Sequence, residues 1–140
     1  AEMITYTIKP HVAIVTDVTH DTNTPMLKKA KVGDIRSGKG PTVTYAPAVH
    51  NKLLQLIIDT ATDNKIDIQR EAASRATGTD TDAFAYSNGG VPSALMSLPL
   101  RYMHTTVEMA HKDDVEGVIK LIYETLKVIK GGMSFKYFEV

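Results

Sequence analysis

The 140-residue sequence contains no cysteine. That excludes a disulfide framework, a thiolate metal site and a cysteine nucleophile. Nor is there an excess of either charge. Sixteen Lys and Arg balance sixteen Asp and Glu, which leaves no electrostatic case for a nucleic-acid partner. No apolar run approaches the length of a membrane span, and Ala1-Glu2-Met3-Ile4 does not read as a signal peptide. The expectation is no membrane partner and a cytoplasmic location. Internal repeats and low-complexity segments are also missing.

What remains is an ordinary apolar fraction, 43%, in a length that suits one domain with a single core. Short apolar runs alternate with helical patterns, which predicts an α/β fold with a mostly parallel sheet flanked by helices. Ile4, Tyr6 and Ile8 alternate with polar residues and suggest a strand ended by Lys9-Pro10. Val12–Val15 reads as a buried strand, Thr42–Tyr45 as a short one, and Ile66–Glu71 as an alternating one. Pro47 opens a helix with an apolar stripe of Val49, Leu53, Leu56, Ile57 and Ala61. Its predicted end is Asn64 in a left-handed conformation, with His50 on the exposed side. A second helix carries Val115, Val118, Ile119, Ile122, Leu126 and Ile129 on one face, with a capping box of Asp113 and Glu116, and ends at Gly131-Gly132. Ser134–Val140 looks strand-like.

Three stretches carry candidate chemistry. Thr16-Asp17-Val18-Thr19-His20-Asp21 follows the first buried run. Carboxylate and imidazole at a strand end are donors that zinc and cobalt sites use, although an aspartate there also serves as a turn or helix cap. Ala76-Thr77-Gly78-Thr79-Asp80-Thr81-Asp82 offers free backbone N–H groups around a glycine, with Asp80 or Thr81 placed to cap a helix. The third is Ala94–Leu98, a buried run ended by Pro99 and followed by Leu100-Arg101-Tyr102-Met103-His104-Thr105-Thr106-Val107-Glu108. A lone histidine past a strand end, beside an arginine and a tyrosine, lies where open α/β sheets gather ligands. A surface loop histidine is the plain alternative. The basic stretch from Met26 to Pro41 reads as a solvated loop, and its Gly38-Lys39-Gly40-Pro41 lacks the spacing of a phosphate loop.

Arg101–Glu108 resembles the Arg-Tyr-Met-His-Ser-Pro-Val-Glu signature of the TET-type dinuclear metallo-aminopeptidases, a family that includes glutamyl aminopeptidases and some proteins described as endoglucanases. Thr105-Thr106 stands in place of Ser-Pro. Asp17-Val18-Thr19 with Asn23-Thr24-Pro25 resembles the family's Asp-Val-Thr and Asp-Thr-Pro, and Gly78–Ala83 resembles its Gly-Thr-Asp-Ala-Asp-Ala loop. The resemblance runs from about Ile8 to Ile129 and covers the carboxyl-terminal portion of the family's catalytic domain, of the phosphorylase/hydrolase-like type, here residues 1–140. It implies removal of amino-terminal residues from peptides, with two divalent metal ions, zinc or cobalt. It implies Asp17, with Asp21 as runner-up, and His104 as metal ligands, and His20 as a group behind them. It implies Gly78, Thr79 and Asp80 as substrate-binding or supporting residues.

The family's earlier histidine, bridging aspartate and paired glutamates, one of them the general base, have no match in this chain. No catalytic residue is therefore assigned, and the chain by itself is expected to be inactive. The expected partners are a peptide substrate and either further copies in a homo-oligomer or an amino-terminal companion segment. A non-catalytic role in assembly or peptide binding is the alternative. Glycoside hydrolysis, with Asp17 and Asp80 as the two carboxylates, ranks last.

Overall fold

The computed structural model describes residues 1–137; the side chain of Lys31 lies outside the description. In chain order the elements are α1 (Glu2–Ile8), β1 (Ala13–His20), α2 (Lys29–Val32), β2 (Thr42–Tyr45), α3 (Asn51–Asp63), β3 (Gln69–Ala72), α4 (Asp80–Ala85), β4 (Ser93–Arg101), β5 (Met109–Ala110) and α5 (Lys112–Val128). The strands form one sheet in the order β1-β4-β2-β3, with β5 against β4. Parallel pairing joins β1 to β4 from Ala13↔Ser93 to His20↔Leu100, and β2 to β3 from Thr42↔Gln69 to Tyr45↔Ala72. The two parallel halves run in opposite directions and meet antiparallel at Thr42↔Ser97 and Val43↔Met96 alone. The sheet is mostly parallel and helices flank it, as the alternating pattern predicts.

The core lies between the sheet and α3 with α5. Leu53, Leu54, Ile57, Ile58 and Ala61 of α3 recur at helical spacing and pack with Val15, Val43, Ala94, Leu95, Met96 and Leu121. Burying each of these larger side chains contributes about 1.5–3 kcal/mol before entropy is counted. Inward-facing positions on α5 are Asp114, Val118, Leu121 and Thr125. Val115, Ile119 and Leu126, expected on the core face, are instead exposed. The apolar positions of α5 are wider than one stripe, and α3 and β4 cover only one side of them.

Several local expectations are corrected. Residues 2–8 form a helix, not a strand. Ile4, Tyr6 and Ile8 are all exposed and only Thr5 is buried, so the alternation reflects no two-faced packing. Lys9 closes α1 in a left-handed conformation, its N–H donating to the Thr5 carbonyl at 3.0 Å. β1 runs past Val15 to His20, and β4 runs through Pro99. Proline is tolerated there because ladder bonds to β1 come from Leu98 and Leu100, and β2 has already ended on the other side. The left-handed residue after α3 is Lys65, not Asn64. Thr79 caps α4 by accepting from Thr81 N–H, and His111 caps α5 by accepting from Asp113 N–H. No capping box of Asp113 and Glu116 forms. Ser134–Tyr137 is not a strand, and Phe138–Val140 lie outside the described residues.

The basic stretch is not a solvated loop throughout: it holds α2 and the buried Ile35, and its surface carries an ion-pair triad. Asp34 accepts from Lys29 at 2.8 Å and from Arg36 at 2.7 Å. Hydrogen bonds from Arg36 and then Lys29 hold the Asp34 carboxyl well below the usual carboxylate range. Among the described residues no helix is long and apolar enough to cross a membrane.

Candidate active site

Because β1 and β4 are parallel, their carboxyl ends open at the same end of the sheet. The ladder continues one step past His20, where Asp21 N–H donates to the Leu100 carbonyl at 2.8 Å. Asp21 is therefore the aspartate at the strand end. Asp17 sits four residues earlier, in mid-strand opposite Ser97. The apolar run ends at Val15, but β-branched Thr16, Val18 and Thr19 prolong the strand to His20.

The two carboxylates have local duties. Asp17 Oδ1 accepts from Val18 N–H at 2.8 Å. Asp21 is buried, with Oδ1 accepting from Asn23 N–H at 2.7 Å and Oδ2 from Ser37 N–H at 3.3 Å. Beside it the Thr22 hydroxyl donates to the Ile35 carbonyl at 2.9 Å. Asp21 thus pins two loops together at the end of β1.

From β4 the chain turns through residues 102–108 into β5. Tyr102 and His104 both hold left-handed conformations, with φ of 55° and 65°. Glu108 accepts from His104 N–H. The Thr105 hydroxyl donates to the Tyr102 carbonyl at 2.6 Å and accepts from Val107 N–H at 3.2 Å. A threonine in place of serine at 105 keeps the hydroxyl that closes this turn. The turn leaves His104 exposed. Arg101 Nη2 donates to Tyr102 Oη at 3.3 Å, and its guanidinium lies 5.1 Å from the ring centroid, a cation–π contact. Tyr102 N–H reaches Thr24 Oγ1 at 3.5 Å and ties this turn to the loop after β1. His20, Asp21, Tyr102 and His104 thus belong to one end of the sheet.

Gly78, Thr79 and Asp80 belong to the other end. β3 runs opposite to β4, so the loop after β3 arrives near the start of β4, where the Ser93 hydroxyl approaches the Thr81 carbonyl at 3.5 Å. Asp82 accepts from Thr77 and Gly78 N–H at 2.9 and 3.0 Å, and Asp80 faces the Ala1 ammonium at 3.9 Å. The structure does not bring this loop to His104.

Two further features lie outside the stretches singled out by sequence. Glu71 on β3 accepts from the hydroxyls of Thr19, Thr42 and Thr44 at 2.5, 3.2 and 3.5 Å. This network links the outer strands β1 and β3 over the face of the sheet, which must curl to allow it. The alternation of Thr42, Val43 and Thr44 was the available signal. The second is a cavity of about 730 Å³ at the Gly78 end, lined in part by His11, His50, Tyr86, Phe135 and Tyr137. That is within the range of small-molecule pockets.

His50 is half-buried in that cavity, contrary to the expected exposed position. It stacks on Tyr137 with centroids 4.2 Å apart. Burial, and then the Lys52 ammonium, push its pKa below the ordinary 6.5, against a raising backbone hydrogen bond to Phe135. A depressed histidine favours the fold while neutral. Its contribution is complete above pH 6.5 and falls as pH drops from there towards the folded pKa. Urea midpoints measured from pH 8 to pH 5 should therefore decline below about 6.5. His50→Phe should reduce that decline while keeping the ring stack. Parallel pH curves for the two proteins would refute the assignment.

The donors among the described residues do not make a metal centre. Among the described residues no group of three or more His, Cys, Asp or Glu is placed to hold a metal ion. A zinc site takes three or four protein ligands. His104 is one exposed imidazole, Asp21 has both oxygens engaged, and Asp17 is back in the strand.

The fold is a mixed α/β domain, a mostly parallel sheet flanked by helices, in which β1 and β4 end on the same side. Residues 1–121 match the M42 glutamyl aminopeptidase family, and the chain belongs to that family. It is 36% identical over 130 residues to the lysyl aminopeptidase of Pyrococcus furiosus, covering 93% of this chain and 37% of that protein. An aminopeptidase structure from the archaeon Desulfurococcus kamchatkensis superposes with a TM-score of 0.83 at 26% identity, over 92% of this chain and 37% of that one. The TET1 peptidase of Pyrococcus horikoshii, described as able to assemble into a tetrahedron or a large octahedral shell, superposes at 0.61 and 26% identity, over 83% and 33%. The chain spans about a third of the length of these relatives.

Proposed function

We propose that this chain forms part of a metal-dependent aminopeptidase and supplies one end of its active centre. The observation that supports the reading is the shared strand end of β1 and β4, where the family-matching His104 turn is tied to the loop after β1 through Tyr102 and Thr24. His104 is the proposed imidazole donor to a metal. Asp17 or Asp21 is the proposed carboxylate donor; Asp17 has one oxygen engaged by a backbone N–H and Asp21 has both. The other donors and the general base come from outside these residues. Gly78, Thr79 and Asp80 are proposed to support the domain from the opposite end, through the Thr79 cap. Assembly with further copies is proposed from the P. horikoshii relative.

The test is turnover of lysyl-, leucyl- and glutamyl-nitroanilides by the complete protein, with and without chelator. His104→Ala should lower kcat at least ~100-fold, because even groups behind a metal ligand cost 10–100-fold when removed. His11→Ala, at an exposed position, should change nothing. The 140-residue chain alone should show no turnover. Full activity in His104→Ala, or activity indifferent to chelator, would overturn the reading.

A further inference from the structure

Asn88 is the one asparagine followed by glycine. It stands with Gly89 and Gly90 in the exposed turn between α4 and β4. The other asparagines precede Thr24, Lys52 and Lys65. An asparagine side chain is open to attack at Cγ by the backbone nitrogen of the next residue, provided that nitrogen is free to approach. Thr24 N–H donates to the Asp21 carbonyl at 3.0 Å and Lys65 N–H to the Thr62 carbonyl at 3.1 Å, so both nitrogens are engaged. Lys52 lies in the first turn of α3, where helical dihedrals are fixed. Gly89 N–H donates to no group among the described residues. Gly89 has φ +80°, and even an added Cβ would meet nothing within 4 Å. The turn is open to water, and glycine gives its backbone the freedom that the approach needs.

The Asn88 carboxamide also has a structural duty. Nδ2 donates to the Thr5 carbonyl at 3.3 Å, near the long limit for such a bond. Among the described residues this is the only side-chain hydrogen bond that reaches α1 from outside the helix. The Ala1 ammonium faces the exposed Asp80 at 3.9 Å, a surface ion pair that contributes little. Met3, Ile4, Tyr6 and Ile8 are exposed, and α1 buries Thr5 alone. The helix is therefore held lightly. The Thr5 carbonyl that takes the Asn88 amide also takes Lys9 N–H, which closes the helix.

We propose that Asn88 is a site of spontaneous deamidation and that its product releases α1 from the turn. Gly89 N attacks Asn88 Cγ and a C–N bond forms. The Cγ–Nδ2 bond breaks, and ammonia leaves with the Gly89 amide proton. Water then opens the resulting succinimide. Attack at Cγ leaves aspartate; attack at the main-chain carbonyl leaves isoaspartate. No oxidant or reductant takes part. An ionised carboxylate only accepts hydrogen bonds, so the product meets the Thr5 carbonyl as a second acceptor where a donor stood. Isoaspartate also inserts a methylene into the backbone of the turn. The inference is independent of the aminopeptidase reading, since it uses no residue of the His104 end.

Peptide mapping by mass spectrometry, on the 140-residue chain held folded in mildly alkaline buffer, tests the chemistry. Asn88 should convert at least ~10-fold faster than Asn23, Asn51 or Asn64, a comparison that needs no variant. Gly89→Ala should slow the conversion at least ~10-fold, because the added Cβ restricts the backbone while touching nothing. Asn88→Asp carries the product and tests the release. Its Lys9 amide, bonded to the Thr5 carbonyl at 3.0 Å, should exchange hydrogen at least ~10-fold faster than in the unmodified chain. Amides from Leu54 to Ala61 in α3 should keep their protection and report an intact core. Equal conversion at all the asparagines, or a rate indifferent to Gly89→Ala, would overturn deamidation at Asn88. Unchanged Lys9 exchange in Asn88→Asp would overturn the release of α1.

Discussion

Asp114→Ala should destabilise the domain by about 3 kcal/mol, the loss of two charge-assisted hydrogen bonds with both donors left in place. The side chain is fully buried in the first turn of α5. Oδ2 accepts from Gly38 N–H at 2.7 Å and Oδ1 from Gly40 N–H at 2.8 Å. Both amides belong to the turn that leads into β2, so one carboxylate joins a loop to a helix distant in sequence. Its place near a helix N-terminus adds a favourable interaction with the backbone dipole. Asp114→Asn retains one acceptor and should lose roughly half as much. Urea unfolding of the three proteins measures both values. A loss under about 1 kcal/mol in the alanine variant would mean that water satisfies the turn.

Gly40→Ala should cost more than about 3 kcal/mol or prevent folding. A Cβ at residue 40 would stand 2.1 Å from the Asp67 carbonyl oxygen, and the backbone there has φ +89°. Neither the clash with main chain nor the left-handed conformation can relax through a side-chain rotation. Gly33 separates the two causes. Its φ is +88°, but a Cβ there meets nothing within 4 Å. Gly33→Ala should therefore cost only about 1–3 kcal/mol, the conformational share. Melting temperatures of the two variants give the comparison, and equal shifts would show that the approach to Asp67 contributes nothing.

These two residues illustrate what the sequence made legible. The spacing of Gly38-Lys39-Gly40-Pro41 excludes a phosphate loop, and the turn leads into β2. Its partner Asp114 was not legible, because a contact across 74 residues leaves no local pattern. The helical stripe of α3 was readable, since Leu53, Ile57 and Ala61 all bury the face their spacing predicts. α5 was overread: apolar residues occupy more of its circumference than the sheet can cover, and periodicity does not say which side is covered. Residues 2–8 were misread because three alternating residues fit either period. Strand existence was recovered for β1 and β4, but not their ends, since Thr16–His20 and Pro99 look like terminators in one dimension. That error moved Asp17 to a strand end that Asp21 occupies. The His104 turn was legible through its residue types, whereas the opposite direction of the two sheet halves was not. It arises from crossovers that no short motif records.

That reversal of direction sets a limit on reach. β4 climbs from Ser93 to Arg101, a rise of roughly 26 Å at 3.3 Å per residue. The Gly78–Asp80 loop meets the sheet near the foot of β4, and the His104 turn leaves from its top. A residue in an extended peptide advances only about 3.3–3.6 Å. If His104 holds peptide as proposed, a dipeptide or tripeptide there is too short to touch the Gly78 loop of the same molecule. Only a substrate of about seven residues or more would span the distance, so the loop bears on short peptides only if another copy presents it.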